Sequence, residues 1–301
     1  MKNINFRHSI IFFNLCILMS PIYQTINYTL IIFCLFLILI IGISHGALDN
    51  IKGAKLLNLF GYKSMYLFYS SYIFISFLII SSWLILPNLV LLFFLIVAAY
   101  HFGKEDTIFK LKKNLVLKEV LFFFKGSPVI IAPLLFQRES TNEIFATLNF
   151  YIFQNPLFDD IFLIIFLVLS LFSSVYLSIG KSIEFKNVMI LDYFSVIILN
   201  LFLNPIIAFT LYFCFLHSVR HSFSLINEMD KSFKKGLKKF IIKAIPLTLV
   251  TGLIFLISIY FLNNLYEIDE AIYKVIFIGL ASLTFPHILL EYLLEKNEKR
   301  T

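Results

Sequence analysis

Charge is scarce in this sequence: Asp, Glu, Lys and Arg make up 14% of its 301 residues, against about a quarter in a soluble domain. Too few polar side chains are present to wrap a core of this size in a wetted shell, so a water-soluble globule is excluded. Glycine (10) and proline (8) are sparse too, and no linker, soluble domain or low-complexity arm interrupts the chain. Cysteine is nearly absent. Cys16, Cys34 and Cys214 lie inside apolar runs without CxxC spacing, so they read as small buried hydrophobes and no disulfide framework follows. Behind Lys2 and Arg7 comes an apolar stretch with no A-x-A-like cleavage site, which is therefore expected to be a retained first segment and not a removed signal peptide.

What is abundant is hydrophobic side chain, at 60% of the residues, with a mean hydropathy of +0.90. Apolar runs of about 20 residues, the length that crosses a bilayer, recur from end to end. They predict spans at 9–23, 28–48, 64–86, 88–103, 117–136, 160–179, 188–203, 205–222, 242–262 and 272–293. Ser20-Pro21, Pro87-Asn88 and Asn204-Pro205 mark tight turns between neighbouring spans. In lipid every backbone polar group must be satisfied within its own segment, so the expected fold is all-α: a polytopic transmembrane helix bundle of about 8–10 spans, forming one integral membrane domain over 1–301. The 37 Phe and 15 Tyr suit lipid-facing helix surfaces.

The net charge of +7 need not mean nucleic acid, because Lys and Arg collect in the cytoplasmic loops of membrane proteins. Basic connections (Lys52/Lys55/Lys63, Lys104/Lys110/Lys112/Lys113/Lys118, and Lys231 through Lys243) alternate with acidic ones (Glu139/Glu143/Asp159/Asp160 and Glu267/Asp269/Glu270). Ten spans with the basic loops inside put both termini in the cytoplasm, in a multi-pass protein of the cell membrane.

Of six histidines, His8 sits at the N-terminal flank and reads as a bystander. The other five, His45, His101, His217, His221 and His287, fall on that topology near the cytoplasmic ends of their spans, at one depth. Ionisable residues inside spans are costly and mark function. His217 and His221 are spaced i, i+4, one turn apart on one helix face, where two imidazoles can reach one ion. Imidazole suits Zn, Cu and Fe, so the ligand type does not choose the metal. Asp49, Glu105 and Glu291 each follow a histidine by four, with Asp106 beside Glu105. They are candidates to accept the second N–H of a metal-bound histidine, most easily one on a neighbouring helix. Arg220 is expected to pair with one of these acids or to snorkel to the interface. Gly42 and Gly46 around His45, and Gly103 after His101, read as points of close helix packing.

Four segments, Gly42-Ile-Ser-His-Gly-Ala-Leu-Asp49, His101-Phe-Gly-Lys-Glu-Asp106, Tyr212-Phe-Cys-Phe-Leu-His-Ser-Val-Arg-His221 and Ile278-Gly-Leu-Ala-Ser-Leu-Thr-Phe-Pro-His287, resemble the Brp/Blh family of β-carotene 15,15′-dioxygenases, the bacteriorhodopsin-related protein family. The resemblance spans residues 28–293 and leaves 9–23 as an extra N-terminal span. It implies a membrane enzyme that cleaves β-carotene at its central double bond with O2 to give two all-trans-retinal, with a rhodopsin as a functional partner for the product. It further implies Fe(II) held by His45, His101, His217 and His221. His287 maps to a further family histidine, read as second shell or substrate contact. Tyr100, Phe102, Tyr212, Phe213 and Phe285 are candidates to line a substrate tunnel.

Three other functions suit the sequence less well. A di-metal desaturase or hydroxylase needs about eight ligands and an HxxHH box, which this chain lacks. A metal or proton transporter would carry polar residues at the midplane and outer half. A carotenoid- or retinal-binding protein without catalysis would suit a degenerate site, whereas this ligand set is intact.

Overall fold

A computed structural model of the chain describes residues 2–21, 28–109 and 117–298. Lys110, Lys112, Lys113, Lys299 and Arg300 of the charge pattern lie outside the described residues, as does the end of the 9–23 span. In chain order the helices are α1 (Lys2–Met19), α2 (Tyr28–Leu37), α3 (Asp49–Leu59), α4 (Met65–Ile85), α5 (Pro87–Glu105), α6 (Lys118–Gly126), α7 (Pro128–Phe136), α8 (Arg138–Thr147), α9 (Asp160–Leu177), α10 (Ile183–Phe202), α11 (Pro205–Leu211), α12 (Val219–Met229), α13 (Phe233–Leu262) and α14 (Ile268–Glu298). Among the described residues there is no strand. Among the described residues eight segments are long and apolar enough to cross a membrane, two of them formed by α6 with α7 and by α11 with α12, and α1 and α2 add two shorter apolar helices. The protein is an all-α, multi-pass bundle.

The turns form where helix-breaking residues stand. Pro87 and Pro205 open α5 and α11 at positions whose N–H has no helical partner anyway. The side chains of Asn204 and Asp159 accept from the backbone N–H groups of Ile206 and Phe162, capping α11 and α9. The span read as 242–262 is the apolar part of a longer helix, α13, whose first turns carry the basic cluster. The acidic connection read around 138–159 is itself folded: α8 and two short 3-10 turns bury Phe145, Phe150 and Phe153 against one another.

Two compact units are built from non-contiguous segments. One comprises residues 1–38 and 95–224, the other 39–94 and 225–301. In the first, α10 packs on α1, α7 and α9, and α6 packs on α9. Ser170, Ser173 and Ser174 are buried along α9, small side chains that let helix backbones approach where no water drives association. In the second, α14 packs on α3, α4 and α13. Pro286 inside α14 cannot donate to the carbonyl of Ser282 one turn back, and the Ser76 hydroxyl of α4 donates to it instead at 2.8 Å.

Among the described residues, two stretches widen beyond α geometry. Ile38–Gly42 and Tyr212–Ser218 are π-helical, the second joining α11 to α12 through His217. The motif around His45 is a 3-10 turn, Ile43–Leu48. Cys16, Cys34 and Cys214 are free and buried.

Candidate functional site

In the first unit, the C-terminal end of α5 meets the π-helical turn and α12. His101 and His217 are buried, their ring centroids 5.3 Å apart. Nδ1 of His217 lies 3.1 Å from Oδ1 of Asp106, and Nδ1 of His221 lies 3.1 Å from Oε2 of Glu105. Two histidines one turn apart are thus held by two consecutive acids. Tyr212 donates its hydroxyl to the other oxygen of Asp106 at 2.7 Å. The Phe102 ring stands edge-on to His217 at 4.9 Å and Phe213 stacks on it at 5.9 Å, closing the imidazole in an aromatic sleeve. Asp106 lies just beyond the α5 span. Burial alone would raise its carboxyl, but the His217 imidazole with its hydrogen bond, Lys125 and Arg220 outweigh that and hold it below the usual carboxylate range.

Glycine makes this approach possible. A Cβ on Gly103 would run into the carbonyl oxygen of Phe122, and one on Gly126 into that of Ala99. Helices α5 and α6 therefore touch backbone to backbone beside His101, and Lys125 reaches the Gly103 carbonyl at 3.2 Å. Gly46 behaves otherwise: a Cβ there meets nothing within 4 Å, so the packing role expected of it is corrected. In a 3-10 turn, residues four apart no longer share the face that a GxxxG pair needs in an α-helix.

In the second unit, Nδ1 of His287 lies 2.8 and 2.9 Å from the two oxygens of Asp49. Tyr72 donates to Asp49 at 2.9 Å. Glu291 lies 3.6 Å from His287 Nε2 and pairs with Lys52. Asp49, His287 and Glu291 are thus brought together. His45 follows the π-helical turn in the same unit, and its side chain lies outside the described residues.

Imidazoles are donors that fit a metal of borderline hardness. In the first unit His217 and His221 are buried or nearly so, each with Nδ1 engaged by a carboxylate; in the second unit, taken by itself, Asp49 holds Nδ1 of His287 in the same way. That pattern fixes the ring and directs Nε2 away from the acid, as for the outer partners of metal-bound histidines.

A family model described as Beta-carotene 15,15′-dioxygenase matches residues 36–295. The chain belongs to this dioxygenase family. A beta-carotene 15,15′-dioxygenase from the uncultured marine bacterium 66A03 is similar to it, with 32% identity over 275 residues that cover 88% of this chain and 94% of the relative. No solved structure matches. The region matched to the dioxygenase family takes in every histidine named above except His8 and leaves α1 outside.

Asp192 was missed in the sequence, and several residues named there have partners that spacing did not indicate. Arg220 does not pair with Asp49, Glu105, Asp106 or Glu291: it is buried against Asp192 of α10, with Nη2 2.9 Å from Oδ1. A lone acid inside an apolar span was the signal. His8 is no bystander, since its Nε2 donates to the Phe215 carbonyl at 2.8 Å. Tyr212, read as a tunnel wall, spends its hydroxyl on Asp106, and Tyr100 spends its own on Glu119. Phe285 packs on Phe93 and Phe94.

Proposed function

We propose that this protein cleaves β-carotene at its central 15,15′ double bond with O2 to give two molecules of all-trans-retinal, using Fe(II) held by His45, His101, His217 and His221. What supports this most is the buried His217/His221 pair, each imidazole anchored through Nδ1 on its own carboxylate, in a chain of this dioxygenase family. Iron bound by neutral imidazoles keeps its positive charge and would supply oxygen activation. The residues around it orient and exclude. Asp106 and Glu105 set the rotation of the two rings, while Tyr212 donates to the second oxygen of Asp106 and so keeps that carboxylate on His217. Phe102 and Phe213 keep water from His217.

β-Carotene is fully apolar and already dissolved in the bilayer, so a site within a helix bundle takes it without transfer through water. Both oxygen atoms end in the two aldehydes, and a retinal-binding rhodopsin is the natural consumer of the product. In this reading the bundle lies in the cell membrane with both termini and the histidines toward the cytoplasm, a reading supported by the distribution of the basic connections.

Expression in a β-carotene-accumulating bacterium with pigment extraction tests this. Loss of colour with appearance of retinal is expected. Persisting colour without retinal, despite confirmed expression and iron supply, would sink the assignment. His217→Ala and His221→Ala should each abolish iron retention and cleavage; full activity in either removes that residue from the ligand set.

A further inference from the structure

Helix α1 precedes the residues that the family model matches, yet it reaches the segment that carries His217 and His221. Asn5, Ser9, Phe12 and Cys16 recur at helical spacing and are buried, while Ile11 and Leu18 on the opposite side are exposed. His8 and Ser9 on this helix make polar contacts that lead to the segment bearing His217 and His221. His8 donates from Nε2 to the Phe215 carbonyl at 2.8 Å, inside the π-helical stretch Tyr212–Ser218, and its ring meets Phe223 edge-on at 5.7 Å. Ser9 donates to Oδ1 of Asp192 at 2.8 Å and accepts from Nη2 of Arg220 at 2.9 Å. Arg220 sets both of its terminal nitrogens on the Asp192 carboxylate.

Arg220 stands between the two histidines in the chain, so its anchor fixes how far the helix bearing them is rotated about its axis. Three groups share that anchor, and all three are buried. A buried charge pair of this kind holds geometry more surely than it adds stability. The π turn is the other adjustable feature. Relaxing it to α geometry would remove the extra residue per turn and swing His217 by a large fraction of a turn relative to α11. A donor on a carbonyl inside the π stretch opposes that relaxation.

We propose that α1 is a built-in positioning element for the His217/His221 pair: His8 holds the π turn through Phe215, and Ser9 completes the Asp192–Arg220 anchor. The proposal rests on reading these histidines as metal ligands. His8 and Ser9 touch neither metal nor substrate in this scheme; they act through the helix.

The test uses the full-length protein in nanodiscs loaded with Co(II), whose d–d absorption reports the number and arrangement of ligands. His8→Ala and Ser9→Ala should each alter those bands and weaken Co(II) retention about tenfold, the lower end for outer partners of metal-bound histidines. His8→Gln, whose amide can reach the same carbonyl, should restore the wild-type spectrum. Cys16→Ala, on the same buried face, removes packing and the thiol contact with Ser195 but neither the His8 nor the Ser9 contact, and should lower Tm while leaving the spectrum unchanged. Wild-type spectra and retention in both alanine variants would overturn the proposal. An equal spectral change in Cys16→Ala would also overturn it, because helix packing and not these two contacts would then control the site. If the wild-type protein takes up no Co(II), the metal reading fails and this inference with it.

Discussion

A histidine that binds a metal must present one ring nitrogen at a set angle, and the other nitrogen is the handle by which the protein sets it. Asp106, Glu105 and Asp49 grip that handle on His217, His221 and His287. Asp106 carries the most, since it accepts from Tyr212 as well as His217 while nearly enclosed. Asp106→Asn keeps the shape and removes the charge; iron per protein after dialysis should fall roughly 10- to 100-fold, with the helical signal unchanged. Iron retention equal to wild type would show that His217 needs no charged partner. The residue types were legible in the sequence, but their partners were not. The acids were expected to serve histidines on neighbouring helices, and Glu105 does serve His221 of α12, but spacing could not say which histidine each acid would meet. Asp192 was passed over because an acid inside a span announces a buried cation without saying which one.

At the scale of elements, two features govern where the histidines stand. The first is the crossing of α5 with α6, where Gly103 and Gly126 leave no room for a methyl group. Gly103→Ala must push the helices apart or strain them, an overpacking cost of about 1–3 kcal/mol. A lower Tm together with weaker metal retention is expected, read by thermal melting and metal analysis. Gly252→Ala in α13, where a Cβ meets nothing within 4 Å, should leave both unchanged or raise Tm slightly, because alanine is the better helix former. The second feature is the backbone hydrogen bond that α14 lacks at Pro286, one residue before His287. Ser76→Ala would leave the Ser282 carbonyl without its donor, at a cost of about 1 kcal/mol. Pro286→Ala returns an N–H to that turn, so Ser76→Ala should cost less in that background. A double-mutant cycle of melting temperatures checks this, and strictly additive effects would show that Ser76 does not compensate for the proline.

For the whole molecule, bilayer and charge decide the arrangement. A large exposed apolar surface, including Tyr66, Leu84, Tyr260 and Leu265, is intolerable in water and unremarkable in lipid. The basic start of α13 and the acidic start of α14 flank one span, so they should lie on opposite sides of the membrane. Single cysteines placed near residue 235 and near residue 266, in a background without the native three, should react with an impermeant thiol reagent from opposite faces. Labelling of the 266 site from outside intact cells and of the 235 site only after lysis is expected. The reverse pattern would invert the proposed topology.

The sequence by itself determined the membrane class, the helical architecture, the positions of the apolar segments and, through four short motifs, the family. These are properties of composition and order along one dimension, and lipid leaves helices as the only way to satisfy a backbone in segments of that length. The tertiary structure alone decided that Asp106 and Glu105 serve His217 and His221, that Arg220 goes to Asp192, and that Gly103 and not Gly46 marks a close approach. It alone showed the N-terminal helix reaching the π turn. Each of these depends on the rotation of a helix about its own axis relative to its neighbours. Residue spacing defines a face but cannot say which helix that face meets, and local π and 3-10 geometry shifts the face itself.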